Sequence, residues 1–181
     1  MKTEVLNVPI DVISNNEALE KSLEILYGDC RENKIIVTPN PEMVMRAQED
    51  QEFMHILKNA DFTIPDGIGV VLASKFNEVK LKERVAGCDL VLSILKNTQK
   101  IITVYIFGTK TNIANNAKKN IENTYKNVKV IGVHSGYFSA DDETKIINEI
   151  NNLKPDLLLV GLGFPKQEKW IYNNKNNLDV K

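Results

Sequence analysis

The side chains of this chain best suited to chemistry fall in four short segments, each directly after an apolar run. Pro65-Asp-Gly-Ile-Gly69 sets one carboxylate, Asp66, beside Gly67 and Gly69, after Asp61–Ile64. Thr38-Pro-Asn-Pro-Glu42 follows Ile35-Ile-Val37 and offers a hydroxyl at Thr38 and an amide at Asn40. His134-Ser-Gly-Tyr-Phe138 follows Val128–Val133, and Gly161-Leu-Gly-Phe-Pro-Lys-Gln-Glu-Lys-Trp170 follows Asp156-Leu-Leu-Leu-Val160. An apolar run ending in glycine and proline reads as a buried strand turning into a helix. Gly161 and Gly163 let the backbone approach a ligand, and Pro165 suits the first turn of a helix. The unpaired N–H groups and partial positive charge of a helix start attract phosphate. Lys166, Gln167 and Lys169 add polar reach there, so this segment is suited to a phosphorylated ligand. Asp66 is suited to accept a proton.

Each feature also has a plain structural reading. Asn40 before Pro41 is a good N-cap with proline at the first helical position, and Asp66 fits an N-cap for a helix from Gly67. Ser139 and Asp142 resemble a capping box. His134 reads as a turn residue, Trp170 as packing, and Met43-Val-Met45 as core. Three arginines, Arg31, Arg46 and Arg84, stand against twenty lysines, which favours a use of each arginine for its fork geometry. Arg84 lies in the loop-like stretch Glu83-Arg-Val-Ala-Gly87.

Several chemistries are excluded. Neither Gly67-Ile-Gly69 nor Gly161-Leu-Gly163 has the third glycine of a dinucleotide fingerprint, and there is no P-loop. No Gly-x-Ser-x-Gly elbow and no Asp-x-Asp pair occur. The two histidines, His55 and His134, lie too far apart in sequence to suggest zinc. No metal or cofactor is expected, and a bound diphosphate would be neutralised by cations and backbone N–H groups.

The elements that must position these residues alternate along the chain. Val5–Ile13 reads as extended, with Pro9 marking an edge or hairpin, and Asn15–Cys30 as a helix. Strands over 35–37, 61–64, 101–107, 128–133 and 156–160 alternate with helices over 41–57, from Ile68 to Phe76, 89–95, from Ile113 to Ile121, and 141–153. This predicts an α/β, Rossmann-like, mostly parallel sheet with helices on both faces, in one domain spanning 1–181. Ligands of such folds bind beyond the carboxyl ends of the strands, so all four segments are expected along one sheet edge.

Composition agrees with this picture. The 181 residues are 43% hydrophobic with a net charge of −1, which gives no basic excess for nucleic acid or a polybasic membrane anchor. Cys30 and Cys88 are too few for a disulfide framework, and a reducing cytoplasm is the plain reading. Met1-Lys-Thr-Glu-Val-Leu-Asn7 has no signal-peptide core, and no apolar run reaches the roughly 18–20 residues of a spanning helix.

Taken together, the segments at 38–42, 65–71, 83–90, 134–138 and 161–170 resemble the WecG/TagA/CpsF family of bacterial glycosyltransferases (family 26), in family order and over nearly the whole chain. The resemblance implies an inverting, metal-independent transferase. It would move a sugar from a UDP-sugar to a polyprenyl-diphosphate-linked acceptor at the inner face of the membrane. In the TagA branch the donor is UDP-N-acetylmannosamine, the acceptor undecaprenyl-diphosphate-GlcNAc, and the product the linkage disaccharide of wall teichoic acid. On that reading Asp66 is the base. Thr38 and Asn40 hold the donor sugar or orient Asp66, and Arg84 and Lys166 offset charge on the leaving diphosphate. Gln167 contacts sugar or phosphate oxygens, and Gly67, Gly69, His134, Gly161 and Gly163 complete substrate binding. Family members continue with a tail rich in arginine and apolar residues, thought to reach the membrane and cover the site. A chain ending at Lys181 is therefore expected to be weakly active or inactive, and apolar patches left uncovered would favour homo-oligomers. Two alternatives stand beside this reading: the same family acting on another UDP-sugar (N-acetylmannosaminuronic acid, glucose or glucuronic acid), and a nucleotide-binding module without catalysis.

Overall fold

The computed structural model describes residues 1–181, apart from the side chain of Ala140. The chain forms two compact units, residues 1–22 with 34–94 and residues 23–33 with 95–181. Among the described residues, no helix is long and apolar enough to cross a membrane.

The first unit opens on an antiparallel hairpin, β1 (Lys2–Val5) and β2 (Val8–Asp11), with Leu6 and Asn7 at positive φ in the two-residue turn. The sequence pattern suggested one extended run here, and the hairpin is the reading that Pro9 favoured. Helix α1 (Asn15–Tyr27) follows, then β3 (Ile36–Val37) pairs in parallel with β4 (Phe62–Thr63). The helix expected over 41–57 is two helices, α2 (Pro41–Glu49) and α3 (Gln51–Lys58). Asp50 divides them: its N–H caps α2 through the Arg46 carbonyl, and its carboxylate accepts from Phe53 N at 3.0 Å to start α3. Met43 and Val44 are buried as expected, but Met45 is 57% exposed because it faces away from the α2 core side. α4 (Ile68–Ala73) runs into a 3₁₀ turn (Ser74–Phe76), and α5 (Gly87–Asn97) follows the loop that carries Arg84. Buried Asp11 ties β2 to β4 by accepting from Thr63 N at 2.9 Å. The fully buried Val8, Ile10, Phe53, Ile56, Leu57, Ile64 and Val70 form this unit's core, each contributing roughly 1.5–3 kcal/mol by leaving water.

The second unit is built on a three-stranded parallel sheet in the order β6 (Val128–His134), β5 (Ile102–Gly108), β7 (Leu157–Gly161). β5 is the central strand, and its apolar run fits burial on both faces. Asp156 fixes the β5–β7 register by accepting from Thr103 N and Oγ1 at 2.8 and 2.7 Å. Helices α6 (Thr111–Thr124), α7 (Ala140–Leu153) and α8 (Lys166–Asn174) pack on the sheet. The Ser139–Asp142 capping box forms at the start of α7, as the sequence indicated. Tyr105, Phe107, Ile146, Ile150 and Trp170 make the core, and the Phe107 and Trp170 rings meet edge to face with centroids 4.7 Å apart.

The α/β class and mostly parallel pairing follow from the alternation of elements. The strands bond as three separate sheets, and two of the four segments follow the β3–β4 pair while the other two follow β6 and β7. β3 and β4 are only two residues each, too short to extend a ladder beyond their own pair.

Candidate active site

In the first unit the chain runs past β3 and β4 as an extended pair. Ile64 N donates to Val37 O at 2.8 Å and Asp66 N to Pro39 O at 3.0 Å, which brings Thr38, Asn40 and Asp66 side by side. Asn40 then turns into α2, its side-chain oxygen accepting from Met43 N at 2.9 Å, with Pro41 at the first helical position. Asn40 is thus the N-cap its sequence suggested, and its oxygen is committed to that bond.

Asp66 is not a cap. The residue before α4 is Gly67, at φ 111°, and the Asp66 carboxylate turns the other way. Its Oδ2 accepts from Gly87 N at 3.3 Å, at the first residue of α5, where the helix dipole favours negative charge. Its Oδ1 lies 3.2 Å from both Nε and a terminal nitrogen of Arg84. Val85 N donates to Pro65 O at 2.8 Å, and this backbone bond holds the Arg84 loop against the end of β4. The Asp66 side chain is 27% exposed and that of Arg84 52%, so solvent and a ligand both reach the pair. Oδ2 accepts only Gly87 N–H among the described residues, which leaves it capacity for a further donor.

The packing here depends on missing side chains. A Cβ on Gly87 would stand 2.9 Å from Thr38 Cγ2, and one on Gly67 would stand 2.9 Å from Pro41 Cδ. Gly69 lies equally close against the Pro41 ring. At these three glycines a side chain would therefore collide with Thr38 or Pro41. Gly87 is the participant that motif reading overlooked: a backbone donor has no residue-type signature, and only its place at a helix start hints at it.

The second unit holds the remaining residues. His134 ends β6, its Nδ1 2.8 Å from Ser135 O, and its ring meets Phe107 edge to face with centroids 5.9 Å apart. His134 is therefore the last strand residue, paired with Phe107, where a turn residue was expected. Gly161 ends β7, and added Cβ atoms at Gly161 or Gly163 would meet only open space, so this backbone is accessible. Gly163 has φ 82°, which suits glycine. Pro165 precedes α8, after a cis Phe164–Pro165 bond, and Lys166 is exposed on the first turn. Gln167 is internally engaged: its Oε1 accepts from Gly163 N at 3.2 Å and its Nε2 donates to Glu168 Oε1 at 2.8 Å. Glu168, quoted in the motif without a role, is buried, and burial pushes its carboxyl above the usual glutamate range.

Arg31 and Arg46 belong to neither group. Arg31 donates from Nε to Asp179 Oδ1 at 2.9 Å and from a terminal nitrogen to the Asp179 and Pro155 carbonyls at 3.1 Å. Arg46 pairs with Asp50 at 3.3 Å. Arg31 also faces Asp156, ahead of β7, so of the three arginines Arg84 alone stands at a carboxylate beyond the carboxyl end of a strand.

The α/β fold thus sets a carboxylate–guanidinium pair beyond the end of β4 and an open glycine turn beyond the end of β7. The chain belongs to the glycosyl transferase WecG/TagA/CpsF family, whose sequence profile matches residues 3–181. It is 33% identical over 178 residues to an N-acetylglucosaminyldiphosphoundecaprenol N-acetyl-beta-D-mannosaminyltransferase of Bacillus subtilis (strain 168), covering 97% of this chain and 68% of that protein. A protein of the same name from Staphylococcus aureus (strain MRSA252) is 32% identical over 184 residues, covering 99% of this chain and 70% of its own. The chain is a glycosyltransferase.

Proposed function

We propose that this chain transfers N-acetylmannosamine from UDP-N-acetylmannosamine to undecaprenyl-diphosphate-GlcNAc, with inversion, to make the linkage unit of wall teichoic acid. The observation that carries the reading is the Asp66 carboxylate, held by Gly87 N–H and Arg84 beside Thr38, with Oδ2 able to accept another proton. The names of the relatives supply the sugar and the lipid-linked acceptor.

In this reading the acceptor hydroxyl oxygen attacks the anomeric carbon while the bond from that carbon to the β-phosphate oxygen breaks. The hydroxyl proton passes to Asp66, and UDP leaves with the bonding electrons. Arg84 has two states. Without substrate it restrains Asp66; a diphosphate, with more charge and more acceptor oxygens than one carboxylate, draws the guanidinium away and frees Oδ1. Thr38, in contact with Gly87, orients the carboxylate and the donor sugar. Asn40 acts through its amide NH2, since its oxygen caps α2. The turn at Gly161 and Gly163, with Lys166 and Gln167, binds donor phosphate and sugar oxygens, and His134 supports it from the end of β6. A lipid-linked acceptor supports a peripheral position at the inner face of the cell membrane.

The test is a transfer assay with a panel of UDP-sugars and a soluble polyprenyl-diphosphate-GlcNAc analogue, with and without chelator. UDP-N-acetylmannosamine is expected to be the preferred donor, with turnover unchanged by chelator. Preference for a uronic acid or glucose donor would move the chain to another activity in the same family. UDP binding without transfer of any sugar would favour a nucleotide-binding module.

A further inference from the structure

We infer that Glu168 is a positioning residue, which sets the amide of Gln167 and through it the turn at Gly163. The inference deepens, and rests on, the reading of this turn as part of the donor site.

Glu168 lies in the first turn of α8 and is only 5% exposed. One of its oxygens, Oε1, accepts from Gln167 Nε2 at 2.8 Å, while the other is buried with no hydrogen-bond partner. A buried carboxyl with an unpartnered oxygen lowers stability, and a leucine of similar size would fill the space without that penalty. Nothing in the packing calls for a carboxyl. What the carboxyl provides is an acceptor, and the Gln167 amide is what it holds.

An amide can present either end, and its partners decide which. Glu168 has no use for a carbonyl while it is ionised, so the Gln167 NH2 faces Glu168 and its Oε1 faces Gly163. That oxygen then accepts from Gly163 N at 3.2 Å, while Gln167 N donates to Gly163 O at 3.1 Å. Gly163 is thus gripped at both its N–H and its carbonyl by one residue whose orientation a second residue sets. Gly163 sits at φ 82° with open space where a side chain would lie, so little else restrains it. With one amide proton used on Glu168, Gln167 keeps a single N–H for a ligand, and its direction is fixed by the same bond. The sequence reading made Gln167 a direct contact; the structure makes that contact depend on its neighbour.

Two variants of the 181-residue chain test this. Glu168→Gln keeps an acceptor for Gln167 Nε2, and Glu168→Leu removes it at similar volume. The readouts are hydrogen exchange at the Gly163 amide without ligand, UDP affinity by calorimetry, and thermal melting. Glu168→Leu is expected to melt no lower than the wild type, to exchange Gly163 about tenfold faster, and to bind UDP about tenfold more weakly, on the scale of one lost hydrogen bond. Glu168→Gln is expected to stay within about threefold of the wild type in both exchange and affinity, since the bond is retained. Unchanged Gly163 exchange in Glu168→Leu would overturn the proposal. So would equal losses in both variants with lowered melting, which would mean a packing role only. Should the wild type bind no UDP, the donor-site reading fails, and Gly163 exchange in the ligand-free variants still decides the role of Glu168.

Discussion

Gly87→Ala probes the tightest contact of the candidate site. An added Cβ would lie 2.9 Å from Thr38 Cγ2 and 3.2 Å from Thr38 Oγ1. Carbon atoms rest at about 3.5–4.0 Å, so Thr38 or the start of α5 must give by roughly 0.6–1 Å. Thr38 has few rotamers to escape into, because it is β-branched. Overpacking costs about 1–3 kcal/mol, while alanine in place of glycine returns up to about 1 kcal/mol at a helical position. The net loss is about 0–2 kcal/mol, a fall in melting temperature of under about 8 °C for a chain of this size. Activity should suffer far more, since a shift of about 1 Å in a reacting group costs on the order of a hundredfold in rate. The assay is steady-state transfer, with melting followed in parallel. Thr38→Ser removes Cγ2 and with it the closest contact, so Gly87→Ala should cost much less in that background, a coupling that a double-mutant cycle reads directly. Wild-type kcat in Gly87→Ala, or the same loss in both backgrounds, would refute the contact's role.

Two further predictions concern stability. Arg31→Ala removes hydrogen bonds to Asp179 and Pro155 in the second unit. Both side chains of its ion pair are about one-third exposed, so the loss should be about 1–2 kcal/mol, read as a lower denaturant midpoint; an unchanged midpoint would contradict it. Asp142 is held down to about 2, from an ordinary 3.8, by hydrogen bonds from Ser139 and Lys145. A folded-state value below the unfolded one means stability that is present above 3.8 and lost as pH falls through about 2. Asp142→Asn should therefore be less stable than the wild type at neutral pH, with the gap closing as pH falls from 3.8 and vanishing only below about 2, as measured by denaturant titrations across that range. A gap that persisted at low pH would count against the capping-box assignment.

Much of this molecule can be read from its sequence, because apolar period and turn chemistry are local signals. Ile102–Gly108 and Leu157–Gly161 are apolar runs closed by glycine, and both are parallel strands, the first mostly buried and the second only half-buried, with Gly161 exposed. Asn40-Pro41 and Ser139–Asp142 announce helix starts through residue types whose side chains bond nearby N–H groups. Asp50 carries the same kind of signal, but helical spacing continues across it, and the period outweighs the cap in a sequence reading. The Asp66–Arg84 pair joins residues eighteen positions apart, across α4 and the loop after it, and no local pattern encodes where such a loop folds back. Gly87 contributes an N–H and an absent side chain, neither visible as a motif. Glu168 looks like an ordinary first-turn acid, and only its burial sets it apart.

Asp66→Asn tests the central claim most directly. Asparagine keeps the size of the side chain and an oxygen for Gly87 N–H, but loses the charge and the second oxygen that accepts from Arg84. Transfer of N-acetylmannosamine should fall by about 10²–10⁴-fold, the usual contribution of a general base, while UDP affinity does not fall, because Arg84 no longer has to leave a carboxylate to meet the diphosphate. Transfer at near wild-type rate in Asp66→Asn would contradict the account.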